Sequence, residues 1–192
     1  NIFGVTISKE QLDYATTRIE KANLKNNVTI SLKDYRELTG QFDRIVSIEM
    51  LEAVGEPYWP AYFRTVSDRL KENGSAMIQV ITIPDEYFDY YRNGMDFIQR
   101  YIFPGGMLIC PGKLKEHSKK AGLELVDAHM FGSSYAQTLE QWQSSFQIRW
   151  HKIEKLGFDE KFKRIWEYYL DYTAAGFRSG SIDVGQFHLR KS

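Results

Sequence analysis

The sequence lacks the features that mark secreted, membrane-spanning and strongly charged proteins. Its 192 residues contain a single cysteine, Cys110, which excludes a disulfide framework within the chain and suits a reducing compartment. Lysine plus arginine and aspartate plus glutamate each number 25, so no overall charge attracts nucleic acid or an anionic membrane. No run of about 18 apolar residues is present to span a bilayer. We therefore expect a cytoplasmic protein with no nucleic-acid partner.

The chain opens directly into a strand-like segment. Asn1 is followed by IFGVTIS, with neither an initiator methionine nor the basic region of a signal peptide. We interpret the sequence as the C-terminal portion of a longer protein. Its length and 43% hydrophobic content predict one N-terminally truncated domain over residues 1–192.

Strand-like and helix-like segments alternate over the first 83 residues, which is typical of a layered α/β sheet. A helix capped by Ser8 is predicted at residues 9–23, and a second at 58–71, ended by the glycine of Asn73-Gly74. The predicted strands of this half are residues 2–7, 28–32, 43–48 and 76–83.

Aromatic side chains dominate the segment after Pro84, where seven fall between Tyr87 and Phe103. That is more aromatic surface than a simple connection needs. The spacing of Trp142, Phe146 and Trp150 favours packing in the core over lining a pocket. Helices are predicted at residues 113–121, 138–156 and 159–175, and strands at 123–131 and 182–189.

Two carboxylates follow a buried strand in FDRIVSIEMLEAVG, residues 42–55. Glu49 and Glu52 come directly after the apolar RIVSI, and ligand sites of open α/β sheets collect where strands end. The four histidines have no metal-ligand spacing, so no metal site is expected.

Five segments resemble the cyclopropane-fatty-acyl-phospholipid synthase family, which includes the mycolic acid cyclopropane synthases. They are GVTISKEQ at 4–11, FDRIVSIEMLEAVG at 42–55, YIFPGG at 101–106, YAQTLEQW at 135–142 and AGFRSGSIDVGQF at 175–187. The resemblance covers nearly the whole chain in consistent order. It implies an α/β fold, a class I Rossmann-like methyltransferase sheet with helices on both faces and a helical insertion before the last strand. The first strand and the glycine-rich loop of the family have no counterpart here. The chain alone is therefore expected to be inactive and to bind S-adenosylmethionine weakly or not at all.

The resemblance also implies a reaction and its cofactors. The family transfers the methyl group of S-adenosylmethionine to the double bond of an unsaturated acyl chain in a phospholipid and forms a cyclopropane ring. A bicarbonate ion, held here by Glu52, Tyr135 and the backbone of Ile81, is expected to take the proton released on ring closure. The implied cofactor contacts are Thr6, Ile7, Gln11, Asp34, Tyr35 and Ile48. The aromatic side chains expected to line the pocket are Tyr91, Phe103, Trp142 and Phe177.

Plainer roles exist for the same residues. A carboxylate such as Glu52 is favoured at a helix N-terminus, Tyr135 can be a packed aromatic, and Gln11 and Tyr35 can be surface residues. Cys110 is interpreted as an ordinary loop thiol.

The sequence departs from the family at two positions. Gln79 stands where many relatives have a histidine, and Ala53 stands where a histidine often follows the glutamate. Glutamine can hydrogen-bond an anion but cannot carry a proton. Alternatives therefore stay open: a methyl-branched or methylene product, or a lipid-binding domain without catalysis.

The substrate implies transient contact with a membrane surface, at the inner face of the membrane if the protein is cytoplasmic. The basic cluster Lys113, Lys115, His117, Lys119 and Lys120 is a candidate for headgroup contact, although such charge runs are usually solvated. A homodimer is compatible with the sequence.

Overall fold

The computed structural model describes residues 1–191, and their backbone forms two compact units. The first covers residues 1–42 and the second begins at Asp43. The expectation of a single catalytic domain over residues 1–192 is not decided by this division and stays a prediction.

The first unit is a β-α-β arrangement. β1 (Ile2–Thr6) pairs in parallel with β2 (Val28–Leu32), and α1 (Lys9–Lys21) connects them. Parallel strands require such a crossover connection. The hydroxyl of Ser8 accepts the Gln11 N–H at 3.2 Å and caps α1 as predicted. All three elements were predicted, with α1 slightly shorter than expected.

The second unit contains the remaining helices and a four-stranded sheet. In chain order the elements from residue 42 are β3 (Phe42–Ile48), α2 (Trp59–Arg69), β4 (Leu70–Thr82), α3 (Asp85–Arg92), α4 (Phe97–Tyr101), α5 (Pro111–Lys120), β5 (Leu123–Met130), α6 (Gly132–Ile153), α7 (Glu160–Ser179) and β6 (Asp183–Lys191). The strand order is β3-β4-β6-β5, and β4 and β5 both run antiparallel to β6. The long helices α6 and α7 precede β6, as the predicted insertion requires.

The central strand β4 has one buried face and one half-buried face. Ile78 and Val80 are fully buried, while Gln79 and Ile81 point to the opposite side. Gln186 of β6 lies directly opposite Gln79 in the register of the two strands. This pairing places polar side chains in the middle of the sheet.

The junction between α2 and β4 differs from the prediction. The helix ends at Arg69 and the strand begins at once, so Asn73 and Gly74 lie within β4 rather than capping a helix. Asn73 has a φ of +61°. A Cβ on Gly74 would lie 2.7 Å from the carbonyl oxygen of Lys71, so the glycine serves close packing of the backbone.

Helix α6 begins at Gly132, six residues before the predicted start at Thr138. Its cap comes from a distant residue, because a carboxylate oxygen of Asp183 accepts the Gly132 N–H at 2.8 Å. The same oxygen accepts the N–H of Val184 at 2.8 Å. The earlier start places Tyr135 in the first turn of α6.

The second unit contains a core between α6, α7 and β6. Phe146, Trp150, Leu170 and Phe177 are buried there, which confirms the core interpretation for Phe146 and Trp150. Trp142 differs, because 54% of its surface is exposed.

Cys110 is buried immediately before α5 rather than lying in an open loop. Burial raises the pKa of its thiol to about 11, and a hydrogen bond with Asp85 acts in the same direction. The thiol is therefore protonated and unreactive near neutral pH.

Candidate functional site

Glu49 follows β3 in a backbone conformation that side chains rarely adopt. Its φ is +50°, in the left-handed region, which costs a residue with a Cβ about 1 kcal/mol or more. The Glu49 N–H donates to the carbonyl of Gln79 at 2.8 Å. This hydrogen bond holds the residue beside the middle of β4.

Two hydrogen-bond donors converge on one carboxylate oxygen of Glu49. The Tyr135 hydroxyl donates to Oε1, and the side-chain amide of Gln79 donates to the same atom at 2.8 Å. The Gln79 amide also lies 3.4 Å from the Tyr135 hydroxyl. The Gln186 amide donates to Gln79 Oε1 at 3.0 Å and thereby orients the Gln79 side chain. We call Glu49, Gln79, Tyr135 and Gln186 the Glu49 cluster.

Glu52 lies next to this cluster in a more buried setting. It belongs to the 3₁₀ turn Leu51–Ala53, and its Oε1 accepts the Ile81 N–H at 2.8 Å. Its Oε2 is buried without a hydrogen-bond partner among the described residues. Burial raises the pKa of Glu52 to about 7, against the opposing effect of the Ile81 N–H, and the nearby charge of Glu49 raises it further.

The loop after α4 closes over the Glu52 turn. The Met107 N–H donates to the Glu52 carbonyl at 2.8 Å. A Cβ on Gly106 would lie 3.8 Å from that oxygen and 3.0 Å from the carbonyl oxygen of Phe103. The loop therefore fixes the position of the turn that carries Glu52.

Aromatic rings pack against the Tyr135 side of the Glu49 cluster. Tyr135 makes edge contacts with Phe131 and Phe177, whose ring centroids lie 5.8 and 5.3 Å away. Tyr169 contacts Phe103 at 6.2 Å. Burial raises the pKa of Tyr169, and the Glu49 charge adds to the effect, which is consistent with a position close to Glu49.

The other residues expected at the pocket are placed differently. The Tyr91 hydroxyl accepts the Leu108 N–H at 3.1 Å and so fixes a loop. Trp142 lies on α6 with more than half of its surface exposed. Phe103 and Phe177 remain near the carboxylates through Tyr169 and Tyr135.

The basic cluster on α5 is less basic than its sequence suggests. Lys113 and Lys120 both form ion pairs with Glu116, at 2.9 and 2.6 Å. The His117 ring stacks on Phe63 at 5.9 Å, and burial lowers its pKa. Lys115 and Lys119 are exposed and are the cluster's remaining lysines, outside the ion pairs with Glu116.

Most of the residues expected at the cofactor lie in the first unit. The Thr6 hydroxyl donates to Gln11 Oε1 at 2.6 Å, and Ile7 exposes 80% of its surface. The Asp34 carboxylate accepts the Arg36 guanidinium at 2.7 Å and caps the 3₁₀ turn Tyr35–Glu37. The hydrogen bonds from Arg36 lower the pKa of Asp34, and burial raises that of Tyr35.

Ile48 is the expected cofactor contact in the second unit, at the end of β3. Its apolar side chain is 54% exposed. The assignments of Thr6, Ile7, Gln11, Asp34, Tyr35 and Ile48 to the cofactor stay predictions.

The groups expected to hold bicarbonate are brought together but are already engaged. Tyr135 donates its hydroxyl to Glu49, and the Ile81 N–H is donated to Glu52. Each donor has a single proton to offer. Of the groups expected to hold bicarbonate, only Glu52 has an oxygen without a hydrogen-bond partner in the part of the chain that the structure describes.

Sequence reasoning missed the part played by three residues of this site. Glu49 was singled out only as a carboxylate after a buried strand, and no role was expected for Gln186 or Tyr169. The position of Glu49 after a buried strand was a signal for a ligand site, but nothing in the spacing indicated its partners. Tyr135 lies 86 positions away from it.

Across residues 1–191, no group of three or more histidine, cysteine, aspartate or glutamate side chains could hold a metal ion. Over the same range, no helix combines the length and the apolar character needed to cross a membrane.

Comparisons with known proteins agree with this architecture. The family model described as mycolic acid cyclopropane synthetase matches residues 1–187. Tuberculostearic acid methyltransferase UfaA1 of Mycobacterium tuberculosis is 42% identical over 98% of the chain, and the cyclopropane-fatty-acyl-phospholipid synthase of Escherichia coli is 38% identical over 97%. The aligned regions span 44% and 46% of those relatives, so the chain covers less than half of their length.

Solved structures confirm the predicted Rossmann-like methyltransferase fold. Mycolic acid cyclopropane synthase CmaA1, complexed with SAH and CTAB, matches the whole chain with a TM-score of 0.90 and 27% identity. The cyclopropane synthase MmaA2 from Mycobacterium tuberculosis matches with the same TM-score and 26% identity. The alignments cover 70% of each of those chains. With its family model matched over nearly every residue, the chain belongs to the mycolic acid cyclopropane synthetase family.

Proposed function

We propose that this chain forms the acceptor side of a methyltransferase that uses S-adenosylmethionine to methylate the double bond of an unsaturated fatty acyl chain in a phospholipid. The observation that carries the proposal is the Glu49 cluster beside mostly buried Glu52, with aromatic side chains packed against Tyr135. Two carboxylates in unlike environments can divide the roles of charge stabilisation and proton transfer.

The residues assigned to the cofactor have suitable chemistry. In the first unit, Ile7 exposes apolar surface that a bound nucleoside can cover, and Gln11 offers an amide for a ribose hydroxyl. Tyr35 provides a ring for an adenine. When bound, S-adenosylmethionine supplies a methyl group on a sulfonium centre.

The chain's own residues account for the rest of the reaction. Methylation of an isolated double bond leaves positive charge on a carbon with no neighbouring heteroatom. The faces of aromatic rings such as Tyr169 and Phe103 stabilise such a charge. Tyr135 and Gln79 hold the Glu49 carboxylate in place, where its negative charge offsets the positive charge.

Cyclopropane is the proposed product, supported by the likeness to the Escherichia coli cyclopropane-fatty-acyl-phospholipid synthase. A methyl-branched or methylene product is the second candidate. The higher identity to tuberculostearic acid methyltransferase UfaA1 supports it, and so does Gln79, which cannot relay a proton.

The test uses the full-length gene product with S-adenosylmethionine and vesicles of unsaturated phospholipid. Mass spectrometry should detect acyl chains that gain one CH₂, and NMR should distinguish a ring, a methyl-branched alkene and a methylene group, which all have this mass. Vesicle binding without any mass gain would support the non-catalytic lipid-binding alternative and contradict the proposal.

A matched pair of tyrosine variants links the activity to the site. Tyr135→Phe removes a donor to Glu49 and should lower the rate of methyl transfer by roughly 100-fold, within the range for catalytic hydrogen bonds. Tyr168→Phe removes the hydroxyl of a half-exposed tyrosine on α7 and should leave the rate unchanged. Equal rates for both variants would argue against this site.

A further inference from the structure

The donors expected to hold an external anion are occupied by carboxylates of the chain itself. Tyr135 and Gln79 both donate to Oε1 of Glu49, and the Ile81 N–H donates to Glu52. A bicarbonate ion would have to displace both carboxylates to reach these donors. It would also add a negative charge beside the Glu49 carboxylate, which is unfavourable. The donor set therefore does not fit an added bicarbonate.

Glu49 is held in this position by backbone and side chain together. Its N–H is fixed on the Gln79 carbonyl at 2.8 Å, and its φ of +50° is a conformation for which glycine is the default residue. A non-glycine residue keeps such a conformation where its surroundings over-determine it. The hydrogen bonds to the Glu49 carboxylate provide that determination.

We propose that the carboxylate of Glu49 takes the place of an external anion, so that this protein removes the proton of its reaction without bound bicarbonate. The inference rests on the proposed function. Glu49 presents one oxygen to Tyr135 and Gln79, and its second oxygen has no hydrogen-bond partner recorded among the described residues. That oxygen is available to a proton on the substrate.

The proton balance of the step is simple. After methyl transfer the acyl chain carries a positive charge on carbon. Glu49 accepts a proton from the new methyl group, the electron pair of that C–H bond closes the ring, and a neutral product and a protonated Glu49 result. After a hydride shift to the cationic carbon, the same loss of a proton from the methyl group gives a methylene product.

The two carboxylates then have separate tasks. Glu52 is the more buried, and its pKa of about 7 leaves it partly neutral near neutral pH. A neutral Glu52 avoids repulsion of the Glu49 carboxylate. Glu52 is held by the Ile81 N–H and by the Met107 N–H of the loop after α4. We therefore assign it the role of positioning the turn that follows Glu49.

The test compares the full-length gene product with its Glu49→Gly variant, each in buffer freed of carbon dioxide and in buffer with added bicarbonate. Glycine suits the left-handed backbone and leaves an anion-sized space beside Tyr135 and Gln79. We expect the wild-type rate to be the same in both buffers. Glu49→Gly should lose roughly 100-fold or more without bicarbonate, as for loss of a general base, and bicarbonate should raise its rate. Asn73 also has a left-handed backbone, with a φ of +61°, but lies outside the site. Asn73→Gly therefore controls for the effect of placing glycine at a left-handed position, and its rate should equal that of wild type.

A binding measurement provides a second readout. Calorimetric titration with sodium bicarbonate, with sodium chloride as control, should detect a site in Glu49→Gly and none in the wild-type protein. Wild-type activity that depends on bicarbonate, or bicarbonate binding by the wild-type protein, would overturn the inference. If no methyl transfer occurs in either buffer, the proposed function is wrong, and the titration alone decides whether Glu49 replaces the anion.

Discussion

At the scale of single residues, two glutamates three positions apart have opposite environments. Glu49 is exposed and accepts two side-chain donors, whereas Glu52 is mostly buried with one oxygen unpartnered. The difference follows from the backbone, because the left-handed turn at Glu49 directs its side chain toward β4 and α6. The 3₁₀ turn Leu51–Ala53 that follows directs Glu52 toward the protein interior, where the Met107 N–H binds its carbonyl.

The buried state of Glu52 predicts a pH dependence of stability. Its pKa is about 7 in the folded protein and 4.5 without the fold, so folding takes up a proton between these values. The free energy of unfolding should therefore fall as the pH rises from about 4.5 to 7, by up to about 3 kcal/mol. Urea unfolding of the wild-type protein and of Glu52→Gln across this pH range measures the change in the free energy of unfolding. The variant should lack this component, while Glu86→Gln, at an exposed carboxylate, should keep it. An unchanged slope in Glu52→Gln would contradict the assignment.

The sequence was enough to locate Glu49, Glu52, Gln79 and Tyr135 but not to connect them. The family resemblance identified the positions of Glu52 and Tyr135, and the departure at Gln79 was visible. The direction of their hydrogen bonds depends on side chains 30 to 107 positions apart, such as Glu49 with Gln79 and Gln79 with Gln186. No local pattern encodes such contacts.

At the scale of elements, α6 positions Tyr135 through a cap borrowed from β6. Phe131, at the N-cap position, makes no side-chain capping bond, and Asp183 supplies it instead. A Cβ on Gly132 would lie 2.5 Å from that Asp183 oxygen, so the glycine allows the close approach.

Removal of this cap should affect stability and activity together. Asp183→Ala should lower the free energy of unfolding by about 1 kcal/mol and slow methyl transfer, because the first turn of α6 carries Tyr135. Asp159→Ala removes the corresponding cap of α7, where Asp159 accepts the Phe162 N–H at 2.8 Å, and should cost similar stability with little change in rate. Thermal unfolding and rate measurements on both variants test this. Equal loss of rate in both would show that the cap does not act through Tyr135.

Elements with local signals were predicted well and elements with distant ones were not. Ser8 and the apolar strands 28–32 and 43–48 gave correct segments, since their caps and periodicity are local. The start of α6 was missed because its cap lies 51 positions away. The start of β4 was missed because Asn73-Gly74 has the composition of a helix end, although the left-handed Asn73 lies inside a strand.

At the scale of the whole molecule, the two units differ in how much they bury. No residue of 1–42 is fully buried, whereas the second unit buries large side chains such as Trp59, Tyr62 and Phe63. A 42-residue unit without buried side chains has little hydrophobic stabilisation of its own.

Hydrogen exchange should report this difference. Backbone amides of β1 and β2 should exchange through local openings well before those of β4 and β6, because few buried contacts oppose their opening. Exchange followed by mass spectrometry of peptides from each strand measures the order. Equal protection of all four strands would mean that residues 1–42 are stabilised by contacts beyond those of the unit itself.

The same weakness predicts poor cofactor binding by the chain alone. Five of the six residues assigned to S-adenosylmethionine belong to residues 1–42, so binding must first order a marginal unit. Titration of the 192-residue chain should give an affinity weaker than micromolar. A micromolar or tighter dissociation constant would refute this.

The left-handed backbone at Glu49 has a consequence for how such proteins diverge. Glycine and glutamate codons can differ by one base at the second position, and the backbone at this site accepts either residue. A single nucleotide change can therefore exchange an active site that carries its own anion for one that must draw it from dissolved carbon dioxide. Dependence of the enzyme's activity on dissolved carbon dioxide would then be gained or lost in one mutational step.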